Sequence, residues 1–364
     1  MPKPIARAVR GAVNVNGTPL AGWLEFEVEN NVYASADSFS CTFSAAQLPK
    51  ERDANWFSQQ QDMTIELFVG FPDNTGQAAP GNLPSWIYGT VDEIDYDPVE
   101  GLIEVRGRDL THLFIDAKTT EKFQNQTASQ VATALALRHG LSTQTTPTKT
   151  PIGKYYEIDS AHINDARTEW ELLNYLARVE QYVVYVQGQT LVFQPQPTPD
   201  SATPYPVVWT PPSKTLGYAQ AAVESIRFQR ATTLSHGVVV TVKSWNDAAQ
   251  HAFTVSYPPA QSQSKSSEAP QMYAYSIANM TPQKALQHAQ AKYREIMQHE
   301  MKLSLTLPGN DDLNRNSVIQ VSGTGTDYDQ AYYPDTITRR FSLDQGYRME
   351  VNAKNHHPDS ELGA

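Results

Sequence analysis

The chain has 364 residues, 40% of them hydrophobic and 18% charged, and a length of that order allows two to four domains. Its formal net charge of −11 at pH 7 excludes a protein that holds nucleic acid by a basic stripe, while leaving room for a surface that DNA slides past without sticking. No apolar run approaches the ~18 residues of a membrane-spanning helix, the N-terminal MPKPIARAVRGAVNV shows no apolar signal-peptide core, and the single cysteine, Cys41, excludes an intrachain disulfide and a cysteine-built zinc site.

Alternation with period two dominates the first 117 residues. WLEFEV (23–28) places Leu24, Phe26 and Val28 on one face, and FSCTF (39–43) places Phe39, Cys41 and Phe43 there. Cys41 therefore reads as a packed core thiol rather than a nucleophile. MTIELFV (63–69) continues the pattern, and YGTVDEIDYDPVEGLIEVRG (88–107) reads as a hairpin turning at Asp97-Pro98-Val99-Glu100-Gly101.

The period then changes. QTASQVATALALRHG (126–140) begins with Thr127 and Gln130 at capping-box spacing and stops at Gly140. TEWELLNYLARVEQY (168–182) repeats the device with Thr168 and Glu171, and its apolar stripe is Trp170, Leu173, Leu176 and Ala177. YVVYVQGQTLVFQP (182–195) is a hairpin turning at Gln187-Gly188, and the Pro-rich QPQPTPDSATPYP (194–206) is a connector.

Strand periodicity returns in VESIRFQR (223–230) and HGVVVTVKSW (236–245). PPAQSQSKSSEAP (258–270) reads as a polar loop. TPQKALQHAQAKYREIMQHE (281–300) reads as a helix with Thr281 as N-cap, Pro282 at the first helical position, and a buried stripe of Leu286, Ala289, Tyr293, Ile296 and Met297. MKLSLTL (301–307), SVIQVSG (317–323) and a last hairpin over 335–354 follow, and HHPDSELGA (356–364) reads as a frayed tail.

Two stretches look alike in the order of their elements, at low identity: FSCTFSAAQLPK, MTIELFVGF and YGTVDEIDYDPVEGLIEVRGR against LSLTLPGNDDLN, SVIQVSGTG and YPDTITRRFSLDQGYRMEVNA. The shared order of four elements favours duplication. The expected fold is mainly β with an α+β insert: two similar antiparallel β-barrels plus smaller α/β insertions. The expected domains are a first barrel over 1–117 and an α+β insert over 118–205. A second barrel takes 206–257 and 301–355, a loop-and-helix insertion takes 258–300, and a flexible tail takes 356–364.

Motifs for chemistry are sparse. There is no Gly-x-Gly-x-x-Gly after a strand, no Walker loop and no Gly-x-Ser-x-Gly elbow. The histidines, His356-His357 included, lack metal-ligand spacing. Arg230, Ser235 and His236 stand close in sequence, yet adjacency along the chain is not a catalytic triad. Acidic pairs such as those in VDEID read as solvated strand faces. Trp86 and Trp209 are candidates for exposed aromatics on a sheet but read as packing residues. The expectation is no enzyme, no cofactor and no metal.

The stretch GTVDEIDYDPVEGLIEVRGRDLTHLFID closes a β-rich run in Gly107, Arg108 and Asp109, followed by Thr111, Leu113, Ile115 and Asp116. With the helix, helix and hairpin after it, it resembles the baseplate hub family of contractile phage tails, which includes the Mu-type tail hub and the late-control protein D group. The loops at 71–87 and 258–270 have no match in that pattern. The resemblance implies a homotrimeric ring adapting a hexameric tail tube to a trimeric central spike. It implies tail tube, spike, tape-measure and other baseplate proteins as partners, DNA passing through without specific binding, and no membrane insertion by this chain. It places the protein in the virion tail baseplate, assembled in the host cytoplasm. Gly107-Arg108-Asp109 then reads as a structural joint, glycine giving a sharp exit from the strand and Arg108 and Asp109 pairing or capping nearby groups. A contractile injection particle, a tail-associated cell-wall hydrolase and a β-rich carbohydrate-binding module stay open as alternatives.

Overall fold

A computed structural model describes residues 8–31, 35–72, 82–119, 121, 123, 125–149, 167–180, 182–195, 204–215, 217–232, 237–246, 251–259, 270–277, 280–297 and 301–355. The tail at 356–364 and most of the loop at 258–270 lie outside them.

The alternating segments become strands. The first unit holds β1 (Arg10–Val15), β2 (Thr18–Pro19), β3 (Trp23–Asn31), β4 (Ser38–Ser44), β5 (Thr64–Gly70), β6 (Ser85–Asp97) and β7 (Leu102–Asp109), with the short helix α1 (Ala54–Ser58) before β5. Next come α2 (His112–Asp116), β8 (Lys118–Thr119), α3 (Ala128–Arg138), β9 (Ser142–Thr145), β10 (Arg167–Thr168), α4 (Glu169–Glu180), β11 (Tyr182–Gln187) and β12 (Thr190–Pro195). The remainder holds β13 (Pro204–Thr210), β14 (Gln220–Ala221), β15 (Ser225–Arg230), β16 (Val238–Asn246), β17 (His251–Tyr257), β18 (Gln271–Ser276), α5 (Pro282–Met297), β19 (Met301–Pro308), β20 (Val318–Ser322), β21 (Ala331–Ser342) and β22 (Gly346–Lys354).

Local signals in the sequence set the boundaries. The β6–β7 turn closes on Gly101 at φ +69°, and Asp97 Oδ1 accepts the amides of Val99 and Glu100. Thr127 and Gln130 form a reciprocal capping box on α3, and Thr168 and Glu171 do the same on α4.

The two β units have one design. In the first, the paired order is β5-β6-β7-β4-β3; in the second it is β20-β21-β22-β19-β15. The registers coincide as well. Ile94 faces Val105 in one hairpin and Ile337 faces Val351 in the other, and each hairpin carries one bulge, at Asp92 and at Asp335. A cation opposite satisfies each bulge: Arg108 Nε donates to Asp92 and Lys354 Nζ donates to Asp335, both at 2.7 Å. At the next position the amide of Asp109 donates to the carbonyl of Asp37, and the amide of Asn355 donates to that of Met301.

The units join edge to edge. β3 pairs antiparallel with β21 over seven residue pairs, from Asn31–Thr336 to Glu25–Ser342, so that fourteen strands make one sheet. Inward side chains from both units form one core, including Phe26, Val28, Phe43, Ile103, Leu303, Ile337, Met349 and Val351. The first unit curls far enough that a side chain at Gly11 of β1 would strike Trp23 and Phe341.

The insertions pack by themselves. α3, α4 and the β11-β12-β9 sheet share a core of Val131, Leu135, Trp170, Leu173, Leu176 and Phe193. Strands β16 and β17, expected within the second barrel, instead form a three-stranded sheet with β18, covered by α5. Alternation identifies a strand but carries no information on which sheet it joins. On α5 the buried positions are Ala285, Ala289 and Met297, while Leu286, expected in the stripe, is 37% exposed.

Ile337 is fully buried at the seam between the units. Ile337→Ala should lower stability by about 2–5 kcal/mol, with the fluorescence and circular-dichroism transitions in urea shifting together because the core is shared.

Candidate functional site

Side chains opposite the core form a polar face across eight neighbouring strands, β15-β19-β22-β21-β3-β4-β7-β6, with both units contributing. Register puts side chains in rows that cross the seam. One row runs Ser225, Thr306, Glu350, Thr338, Glu29, Ser38, Arg108, Thr90. Arg340 bridges the seam to Glu27 and also reaches Glu350, while Arg106 reaches Glu93 and Glu104. Acidic side chains outnumber basic ones over the first unit (Glu25, Glu27, Glu29, Glu93 and Asp95 beside Arg106 and Arg108), and basic ones predominate over the second (Arg227, Lys302, Arg340 and Arg348 beside Glu350). Exposed ion pairs of this kind contribute little stability; their effect is to cancel charge across the face.

Gly107, Arg108 and Asp109 lie at the border of this face and the insert. Gly107 sits inside the ladder, opposite Phe39 on one side and Val91 on the other. A Cβ there would stand 2.0 Å from the Thr90 carbonyl oxygen and 2.6 Å from the Phe39 ring. Its role is close approach of strands, not the sharp exit expected, since β7 continues to Asp109. Arg108 grips Asp92 with two hydrogen bonds, at 2.7 and 3.1 Å, and touches Asp116 of α2 at 3.4 Å. Those bonds, Asp92 first, raise its pKa. Asp109 is buried, and its carboxylate accepts from the Thr111 amide and hydroxyl at the turn into α2.

Behind this turn lies a buried polar junction that joins both units and the insert. Asn30 of β3 donates to Asp37 at 2.8 Å, and Asp37 also accepts from the Asn31 amide at 2.8 Å and from Arg315. Arg315 stands 4.8 Å from the ring centre of Tyr185 on β11. Arg339 of β21 is 1% exposed; it donates to Asn30 and to the Leu313 carbonyl, each at 2.6 Å, and lies 3.5 Å over the Trp86 ring. Burial lowers its pKa. A cavity of about 300 Å³ opens here, lined by Asp37, Trp86, Asp109, Tyr185, Arg315 and Arg339. None of the junction's charged residues except Asp109 was singled out from sequence. The available signal was Arg339, a charge in phase with the core positions Ile337 and Phe341.

The other sequence candidates fall elsewhere. Cys41 is fully buried, and burial raises its thiol pKa well above the ordinary value. Trp86 is half-buried, its Nε1 donating to the Val69 carbonyl at 2.8 Å. Trp209 is half-buried on β13. Ser235, His236, His356 and His357 lie outside the described residues. In the insert, Glu169 has a side chain 3% exposed and binds Arg138 at 2.7 Å and His139 at 2.6 Å, tying the start of α4 to the end of α3. Among the described residues no group of three or more His, Cys, Asp or Glu could hold a metal ion, and no helix is long and apolar enough to cross a membrane.

Burial, and secondarily the charge of Asp37, push the Asp109 pKa up to about 8. The folded protein therefore holds a proton there that the unfolded chain releases near pH 4. Stability should fall as pH rises from about 4 to about 8, by up to ~1 kcal/mol per unit, and the trend should end above that. Asp109→Asn, the residue the second unit carries at Asn355, should flatten this slope in urea titrations and leave the variant more stable than the parent at pH 8.

No protein-family model and no curated protein matches the sequence. Solved structures do match in fold. A tail protein from Neisseria meningitidis MC58 superposes with a TM-score of 0.69 at 13% identity, covering 95% of this chain and 96% of that one. The 43 kDa tail protein of prophage MuSo2 from Shewanella oneidensis gives 0.67 at 15% identity, covering 97% and 99%. An E. coli component of the type VI secretion system, described as similar to bacteriophage T4 tail proteins gp27 and gp5, gives 0.52 at 12% identity, covering 95% and 77%. Over nearly its whole length the chain has the fold of the two tail proteins, and it shares that fold with the type VI secretion component.

Proposed function

We propose that this chain is the structural hub of a phage tail baseplate: a homotrimer that joins a hexameric tail tube to a trimeric central spike. The observation that carries the reading is the twofold repeat inside one sheet, with β5-β6-β7-β4-β3 and β20-β21-β22-β19-β15 in the same order and matching register. Three chains carrying two equivalent units each present six similar sheet segments to a six-part tube. The insertions are single per chain and stay threefold, which suits a threefold spike.

The polar face is assigned to the wall of the channel. Ion pairs that neutralise basic side chains on the face, as in Glu27–Arg340–Glu350, weaken the hold any basic track would have on DNA. Tape-measure and other baseplate proteins are the further partners, and the virion tail baseplate, assembled in the host cytoplasm, is the location. Gly107, Arg108 and Asp109 serve as the joint between the first unit and the insert, and no catalytic step is assigned. The same architecture serves a contractile injection particle, a reading supported by the fold shared with the type VI secretion component.

Light scattering on the purified chain should give a mass about three times 40.5 kDa. A strict monomer at every concentration, with no association with tube or spike proteins, would contradict the assignment.

A further inference from the structure

The buried junction between the two units and the insert carries a charge that its own residues do not balance. A guanidinium has five N–H donors and stays protonated in proteins. Arg339, almost fully buried, spends two of its donors on neutral acceptors, the Asn30 side-chain oxygen and the Leu313 carbonyl, and lies over the neutral ring of Trp86. The carboxylate whose charge reaches it is Asp37. Asp37 is already engaged by Arg315, by the Asn30 amide and by the Asn31 backbone amide. Two guanidiniums thus share one carboxylate. The other carboxyl, Asp109, accepts only from Thr111 among the described residues, and with its pKa raised to about 8 it is a neutral acid at pH 7. One positive charge is left over in a buried place, where an uncompensated charge is costly.

Asp37, Asp109, Arg315 and Arg339 all line the cavity of about 300 Å³. At about 30 Å³ per water, that space holds roughly ten waters or one small organic molecule. Trp86 of β6 borders it on one side, and Gln187 and Gly188, at the turn of the β11–β12 hairpin, on another. An occupant therefore touches both β units and the insert.

We infer that this cavity binds a small monocarboxylic acid, its carboxylate held by Arg339 and Arg315 and accepting a hydrogen bond from the Asp109 carboxyl. Charge selects the class. A monoanion brings the junction to neutrality, a dianion such as sulfate overshoots, and a metal cation adds to the excess. Shape selects within the class, because a planar carboxylate matches the fork of a guanidinium and chloride does not. The ligand also takes up the donors that Arg339 has to spare.

Binding is linked to a proton. An ionised Asp109 would place a like charge against the ligand, so affinity falls as pH rises through the Asp109 pKa. The charged and titratable groups around Asp109 come from every element that meets there: Asp37 before β4, Tyr88 on β6, Tyr185 on β11, Arg315 before β20 and Arg339 on β21. Asp109→Asn keeps a donor at that position and removes the titration.

The test uses the full-length chain with sodium acetate as the probe and sodium chloride at equal ionic strength as the reference. Saturation-transfer NMR on the acetate methyl group reads binding directly. Acetate should bind and chloride should not displace it. Arg315 stands at the rim with its side chain 15% exposed, so its replacement spares the sheet core. Arg315→Gln should weaken acetate binding by about tenfold or more, the loss expected for a charged hydrogen bond. Between pH 7 and pH 9 the parent should lose about tenfold in affinity, while Asp109→Asn should change by less than about twofold. No transfer to acetate at about 50 mM, a concentration that would populate even a weak millimolar site, would overturn the site. Equal binding by Arg315→Gln would do the same, and so would one pH profile shared by the parent and Asp109→Asn. Displacement of acetate by sulfate more readily than by formate would overturn the assignment to monocarboxylates.

Discussion

Everything in this molecule is referred to the seam between β3 and β21. Seven residue pairs there turn two β units into one sheet, with Phe26, Val28, Ile337 and Phe341 beneath it and the Arg340–Glu27 pair above it. A seam of this kind fixes the relative orientation of the units more firmly than a linker could, because register is set at every pair and a one-residue slip would turn each core side chain to solvent. Two β units held in this way keep one fixed arrangement; two units free to swing could not.

The buried junction beneath the turn at Asp109 uses a different kind of chemistry for the same end. Arg339 belongs to the second unit, Asn30 and Asp37 to the first, Arg315 to the loop before β20, and Tyr185 to the insert. Removing one partner from a buried charged group costs more than the pair is worth against an apolar replacement. Such a network is therefore a specifier of geometry rather than a source of net stability. It holds the insert at a set position against the sheet, with Arg108 fastening the β6–β7 hairpin to α2 on the exposed side.

Much of this was legible in the residues. Alternation in SFSCTFS and MKLSLTL located β4 and β19, the capping pairs Thr127/Gln130 and Thr168/Glu171 located α3 and α4, and the shared order of four elements at the two ends of the chain pointed to the duplication. What stayed hidden was long-range. The strand VVVTVKSWN reads the same whether it joins the large sheet or pairs with β17 and β18, because a strand's own pattern does not name its neighbour. The junction was hidden for a similar reason: Asn30, Asp37, Arg315 and Arg339 come together from positions up to 309 residues apart. Glycine commonly serves bends, and that suggests a bend at Gly107; the requirement it meets, a carbonyl 2.0 Å from where a Cβ would sit, belongs to the adjacent strand.

The most direct measurement is a three-dimensional image of the assembled particle at a resolution that separates strands. The account predicts a pore encircled by six similar sheet segments from three chains, with the ion-paired cluster of Glu27, Arg340 and Glu350 facing the lumen and the single-copy insertions outside in threefold array. A ring whose lumen is lined by the insertions, or an assembly in which the two β units of one chain occupy unrelated environments, would contradict it.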